Sequence, residues 1–234
     1  MSCFAGAEVI NTNLALVLDA ASPRSYPGSG ATWLDVSGNN LSASISNNTF
    51  NSKESFTLTS SSNNTIPGTS LNLTGSSFTM EAWIYPTADS ITGSFGQIFT
   101  QDSGNLDGNG WQWRIQDSND TVQFIYWTSS VRGTAVSVTS NTPLIYNNWY
   151  QLVVTYNGTT LKLYQNTTET HSSNPASALY GSTATIGIGM FNRTQSFSEI
   201  LAGKISIIRC YKNKALNPIE IQPTFEAPRS RYNI

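Results

Sequence analysis

The sequence predicts an all-β protein folded as a sandwich of two antiparallel sheets. Three observations carry that prediction. Apolar and polar residues alternate with a period of two along segment after segment. Charged residues make up only 11% of the 234 positions, against about a quarter in an average soluble protein. Ser, Thr, Asn and Gly stand in their place, which suits polar turns and deprives a surface helix of its charged face. Before Pro218, no helical periodicity lasts beyond about two turns.

The elements follow from the alternation. In "SFTMEAWIY", Phe78, Met80, Ala82 and Ile84 share one face, and Thr79, Glu81, Trp83 and Tyr85 the other. In "WQWRIQ", Trp111, Trp113 and Ile115 oppose Gln112, Arg114 and Gln116. "TVQFIYW" alternates Val122, Phe124 and Tyr126 with Gln123, Ile125 and Trp127. "WYQLVVTY" leads through Asn157-Gly158, two residues that accept positive φ, into "TTLKLYQN", a hairpin signal. "TATIGIGM" and "GKISIIRCY" read as strands with mostly buried faces. In the first of these, Gly187 and Gly189 mark positions where packing or a bend leaves no room for a side chain. Asn217-Pro218 opens one turn of helix. No linker or repeat divides the chain, so one domain is expected over residues 13–226, with an N-terminal arm (1–12) and a C-terminal tail (227–234).

Bulk properties narrow the function classes. The net charge is −2 and no basic stripe is present, so nucleic acid is not an expected partner. Lys212, Lys214, Arg229 and Arg231 read as a solvated rim. Cys3 and Cys210 have no metal-ligand spacing, and a disulfide between arm and last strand stays open. "MSCFAGAEVI" lacks the basic and apolar regions of an ordinary signal peptide, so synthesis in a cytoplasm is expected. No apolar run approaches the ~20 residues of a membrane span, so membrane insertion is not expected.

Four stretches carry a resemblance. "LALVLDAASPRSYPGSGATWLDVSGNN" looks like an opening strand and W-x-D-x-S-G-N loop. "SFTMEAWIYPT", "NNWYQLVVTYNGTTLKLYQN" and "LAGKISIIRCYKNKALNPIEIQ" look like a central strand, a hairpin and a closing strand with helix. Together they resemble the laminin-G-like (pentraxin-like) branch of the concanavalin A-like lectin/glucanase superfamily over roughly residues 14 to 222. The resemblance implies a jelly-roll sandwich. In it Trp149 would anchor a strand in the inter-sheet core, and Trp83 and Pro86 would mark a strand end. Ile205, Ile207 and Tyr211 would pack the last strand near Leu16 and Leu18, with Leu216, Ile219 and Ile221 folding back as an apolar plug. The ending "EIQPTFEAPRSRYNI" is similar to those of laminin-G-like proteins of tailed bacteriophages, which implies a virion structural or adhesive role.

Hydrolases of this superfamily carry an E-x-D-x-E strand, whose carboxylates serve as nucleophile and acid/base. No glutamate here is followed two positions later by aspartate, so an enzyme is not expected. Glu81 reads as solvated or hydrogen-bonded, and His171, in "TETHSSNP", as a residue of a polar surface loop. The candidate site is "QDSGNLDGNGWQWRIQDSND". Asp102, Asn105 and Asp107 can offer oxygens to Ca²⁺, which takes six to eight, although the plainer reading is an ordinary Asx-rich turn. Trp127, Tyr126, Asn109 and Arg132 are the carbohydrate-binding candidates, because a ring can stack on a pyranose while amides bind its hydroxyls. Trp111 and Trp113 share a face that serves as core or as ligand platform.

The expected function is thus a non-enzymatic virion-surface protein, in a capsid-decoration or fibre role. Its partners would be other virion proteins, further copies of itself and host-surface glycans. The alternatives are a Ca²⁺-dependent carbohydrate-binding module without a virion role and a glycoside hydrolase.

Overall fold

The computed structural model describes residues 9–51, 54–92, 94–102, 109–116, 118–129, 134–191 and 199–234. Among them the strands are β1 (Leu14–Asp19), β2 (Thr32–Trp33), β3 (Ala43–Ser46), β4 (Thr49–Asn51), β5 (Ser55–Thr57), β6 (Asn63–Ile66), β7 (Phe78–Thr92) and β8 (Phe95–Gln101). They continue with β9 (Trp111–Gln116), β10 (Thr121–Trp127), β11 (Ala135–Pro143), β12 (Tyr150–Tyr156), β13 (Leu161–Gln165), β14 (Thr168–Ser173), β15 (Ile186–Ile188) and β16 (Ile200–Lys212). A helix, α1 (Pro218–Arg229), follows. No helix of the described residues is long and apolar enough to cross a membrane.

The strands form the expected jelly-roll sandwich. One layer runs β1-β16-β7-β12-β13-β14 and the other β11-β10-β9-β8-β15-β6-β3-β2, with antiparallel pairing throughout both. The layers join at a corner where β16 meets β8 in parallel, at Ile200↔Gln97. The alternation places its apolar set inward. Phe78, Met80, Ala82 and Ile84 share one core with Trp111, Trp113, Ile115, Val122, Phe124 and Tyr126. Gly187 and Gly189 behave as their positions imply. A Cβ on Gly187 would stand 2.4 Å from the Met190 carbonyl oxygen, and Gly189 has φ +69°.

β16 lies between β1 and β7, so the closing strand ties the opening one into the sheet. The motif loop after β2 is held by Asp35. Its carboxylate accepts from the backbone N–H groups of Val17, Ser37 and Leu41, which satisfies donors that an irregular loop would otherwise leave unmade.

Helix α1 is longer than the single turn the sequence suggests, and it covers the outer face of the first layer. Asn217 and Glu220 form a reciprocal capping box behind Pro218. Pro223 and Pro228 lie inside the helix, where each removes a backbone donor. The helix persists because its inward face is buried: Ile221, Thr224 and Pro228 are covered by the sheet, and Phe225 stacks on Trp83 at 5.7 Å. Ile219 is two positions from Ile221, hence on the opposite side, and is 83% exposed. The expected plug therefore consists of Leu216 and Ile221 without Ile219.

Within residues 227–234, read as a tail on sequence grounds, Pro228 and Tyr232 are buried and the others are exposed. Tyr232 is buried, stacks on Trp83 at 4.6 Å and donates to Ser206 Oγ at 2.7 Å. Arg231 Nη1 donates to both carboxylate oxygens of Asp19, at the end of β1, at 2.9 Å each.

Three further expectations change, and the expected hairpin forms with a different loop. Trp149 packs outside the sandwich, against Tyr232 at 4.3 Å, because β12 begins only at Tyr150. Trp83 and Pro86 do not end their strand; β7 runs on to Thr92. Pro86 is tolerated there because β12 has already ended at Tyr150↔Ile84, and β16 carries a register shift between Leu201 and Gly203. The Asn157-Gly158 hairpin uses a four-residue loop in which only Gly158 has positive φ, while Asn157 Oδ1 accepts from Thr159 N and Thr160 N. His171 lies on β14, where its Nδ1 is 3.4 Å from Asn141 Oδ1.

Glu81 takes the hydrogen-bonded alternative. Buried beneath α1, its Oε1 accepts from Arg209 Nη1 at 2.6 Å, Trp83 Nε1 at 3.0 Å and Gln151 Nε2 at 3.0 Å. Gln151 Nε2 also donates to Thr224 Oγ1 of the helix at 2.7 Å. Cys210 is free and fully buried, and burial pushes its thiol up to about 12. Cys3 lies outside the described residues.

Candidate functional site

The second layer carries no helix over its outer face among the described residues. There the polar half of the alternation collects. Cross-strand pairing aligns Gln97, Arg114, Gln123 and Thr139 in one rung across β8-β9-β10-β11. The adjacent rung holds Thr100, Gln112, Ile125 and Ser137. These side chains hydrogen-bond in sequence. Asp102 Oδ2 accepts from Gln112 Nε2 at 2.6 Å, and Gln112 Oε1 accepts from Arg114 Nη1 at 2.8 Å. Arg114 Nε donates to Gln123 Oε1 at 2.8 Å, and Gln123 Nε2 to Ser137 Oγ at 3.0 Å and Thr139 Oγ1 at 3.2 Å. At the other edge Gln97 Nε2 donates to Glu199 Oε2 at 2.6 Å. The Arg114 guanidinium lies 3.5 Å over the Phe95 ring.

The result is a rigid polar surface. Gln112 and Gln123 are each 6% exposed and Gln97 is 0% exposed, whereas Arg114, Gln116, Ile125 and Trp127 are partly open. Because each amide is fixed by a neighbour, the row presents donors and acceptors at set positions, and little side-chain entropy remains to be lost on binding.

The structure sorts the predicted residues. Trp127 is half-buried on this outer face, in phase with Gln123 and Ile125. Its backbone N–H donates to the Gly110 carbonyl at 3.1 Å, so it stands beside Asn109, whose Oδ1 is buried without a partner among the described residues. Tyr126 is a correction. It is 1% exposed, its hydroxyl donates to the Ser177 carbonyl at 2.9 Å, and burial pushes its pKa up. The same alternation that turns Trp127 outward turns Tyr126 inward. Trp111 and Trp113 are fully buried core residues.

Asp102 is buried and held by Gln112, while Asn105, Asp107 and Arg132 lie outside the described residues. Among the described residues no group of three or more His, Cys, Asp or Glu side chains comes together as a metal site.

Sequence reading passed over Gln97, Gln112, Arg114 and Gln123 as site residues. The signal was present: "WQWRIQ" sets Gln-Arg-Gln opposite its buried tryptophans, and "TVQFIYW" puts Gln123 in phase with Trp127.

The two antiparallel layers form a β-sandwich of the concanavalin A-like kind. The chain belongs to the Concanavalin A-like lectin/glucanases superfamily, whose family model matches residues 58–222. Among solved structures it is similar to the binding domain of botulinum neurotoxin serotype D, with a TM-score of 0.69 and 19% identity over 93% of this chain and 52% of that one. It is similar to Trypanosoma rangeli sialidase in complex with sialic acid, with a TM-score of 0.67 and 15% identity over 98% of this chain and 35% of that one. Domain 4 of AbnA, a GH43 extracellular arabinanase from Geobacillus stearothermophilus in complex with arabinotriose, gives a TM-score of 0.65 and 15% identity over 90% of this chain and 97% of that one. These likenesses are of fold. The chain spans about half the length of the toxin chain and about a third of the sialidase. No curated protein matches the sequence.

Proposed function

We propose that this protein is a non-catalytic glycan-binding protein whose ligand lies across the outer face of β8-β9-β10-β11, centred on Arg114. The observation that carries the reading is the hydrogen-bonded row from Asp102 through Gln112, Arg114 and Gln123 to Ser137 and Thr139. Amides and a guanidinium suit a hydroxyl-rich ligand, and Trp127 and Ile125 on the same face give an apolar surface for a sugar ring. Two structurally similar proteins, the sialidase and domain 4 of AbnA, were solved with sugars.

Among the described residues, the two carboxylates bordering the row, Asp102 and Glu199, argue against hydrolysis. Asp102 follows the end of β8, and Glu199 precedes the Ile200↔Gln97 bridge near its start. Five residues of strand put their backbones on the order of 16 Å apart, at opposite ends of β8. Each is also engaged by a glutamine. The test is binding to an immobilised glycan panel, with and without a Ca²⁺ chelator, alongside reducing-end release from laminarin, agar and alginate. Wild type is expected to bind at least one glycan and release none. Arg114→Ala is expected to lose about tenfold or more in affinity, the worth of a charge-assisted hydrogen bond. Turnover, or undiminished binding by Arg114→Ala, would overturn the reading.

The virion setting is a second proposal, supported by the likeness of "EIQPTFEAPRSRYNI" to phage laminin-G-like endings. Its carriers Phe225, Arg231 and Tyr232 dock on the protein's own sheet, so any contact with other virion proteins falls to different surfaces. Mass spectrometry of purified particles tests it: the chain in stoichiometric amount supports the setting, and its absence rejects it.

A further inference from the structure

A pocket lies at the edge of the sandwich, between the loop that precedes β7 and the segment that precedes β15. It encloses about 380 Å³ and is lined by Thr69, Asn72, Thr74, Tyr180, Ser182 and Thr183. That volume is within the range of small-molecule sites. We propose that it is a separate binding site for a single neutral pyranose, independent of the Arg114 face.

Three observations point to that ligand. The lining is hydroxyls, one amide and one phenol ring, with no charged side chain. This chemistry matches a neutral sugar and offers no counter-charge to an acidic one, in contrast to the face around Arg114. Tyr180 is a 43% exposed aromatic, and an exposed ring at a pocket wall gives a pyranose an apolar surface to cover.

The walls are also preformed. Gln101 Nε2 bridges them from behind, donating to the Gly68 carbonyl at 2.6 Å and the Ala184 carbonyl at 3.2 Å. Gly75 N donates to the Leu179 carbonyl at 3.0 Å, and Tyr180 is held at both backbone groups, by Trp127 O at 2.7 Å and Gly110 N at 3.0 Å. The walls approach so closely that a Cβ on Gly181 would sit 2.0 Å from Thr74 Oγ1. Asn72 Oδ1 accepts from Thr74 N and Thr74 Oγ1, which fixes that amide. A rigid pocket binds without ordering loops.

The experiment is amide NMR of the full chain, titrated separately with methyl β-D-galactopyranoside, methyl β-D-glucopyranoside, methyl α-D-mannopyranoside and N-acetylneuraminic acid. At least one neutral glycoside is expected to shift the amides of Thr69–Thr74 and Gly181–Thr183, and N-acetylneuraminic acid is expected to leave them in place. Tyr180→Ala is expected to weaken the neutral sugar about tenfold, with Tyr180→Phe close to wild type. Arg114→Ala is expected to leave these shifts intact, so failure here and failure of the Arg114 face are told apart. The proposal is overturned if no neutral glycoside moves these amides, if the acidic sugar moves them as strongly, or if Tyr180→Ala binds as wild type does.

Discussion

Glu81 shows what single residues contribute and what a sequence hides. Alternation places it correctly on the outer face of β7, yet its burial depends on α1, whose Thr224 shares Gln151 with it. The two hydrogen bonds of Gln151 span 70 and 73 positions of chain, so local pattern could not supply them. Taking one member from a buried ion pair strands the other, at a cost of about 3–5 kcal/mol. Glu81→Ala is therefore expected to lower stability by about that amount, since Arg209 is 7% exposed. The double variant Glu81→Leu/Arg209→Met should recover most of it. Urea unfolding of the three proteins checks this; equal losses in the single and double variants would show that the pair does not act as a unit. Trp127 and Tyr126 make a complementary point. Neighbours on a strand face opposite ways, so only one could reach a ligand at this face, and the phase of "TVQFIYW" already said which.

At the scale of elements, the start of α1 was legible and its end was not. Asn217-Pro218-x-Glu220 is a local signal, read in one turn of chain. Pro223 and Pro228 argue locally for a stop, and only the apolar outer face of β7 and β16 overrides them. The cap also sets a pH dependence. Burial pushes the Glu220 carboxyl up, but hydrogen bonds from Lys214 and the Asn217 N–H outweigh it and hold the group below the ordinary carboxylate range. With the folded pKa depressed, its stabilisation is present above the unfolded-state value and is lost as pH falls through the folded one. Glu220→Gln is expected to unfold at a lower temperature than wild type at neutral pH, with the difference closing in acid. A gap that stays constant across acidic pH would remove Glu220 charge from the explanation.

For the whole molecule, the two outer faces divide the labour. One is sealed by α1 and the final residues; the other is left polar. Leu216, Ile221, Phe225 and Tyr232 each cover apolar surface at about 1.5–3 kcal/mol apiece when fully buried, comparable in sum to the roughly 5–15 kcal/mol stability of a domain. Removing residues 216–234 should expose Trp83, Ile207 and Tyr211 and yield a protein that binds a hydrophobic dye and aggregates. A truncated chain that melts cooperatively near the wild-type temperature would show the seal to be dispensable. Fold class was legible because period-two alternation carries it; the strand order within each layer was not, because pairing joins segments far apart in the chain. The proposed binding face was legible only in its phase, because the row from Asp102 to Thr139 is assembled from β8, β9, β10 and β11, which no single segment contains.

The most direct test of the central claim is side-chain NMR of the row itself. The Nε2 amide signals of Gln97, Gln112, Gln116 and Gln123 and the Arg114 Nε–H signal would be followed during titration with a bound glycan. The account predicts that the Arg114, Gln112 and Gln123 signals move together and saturate with the affinity measured on the glycan panel. Saturable binding that leaves all five signals in place would contradict it.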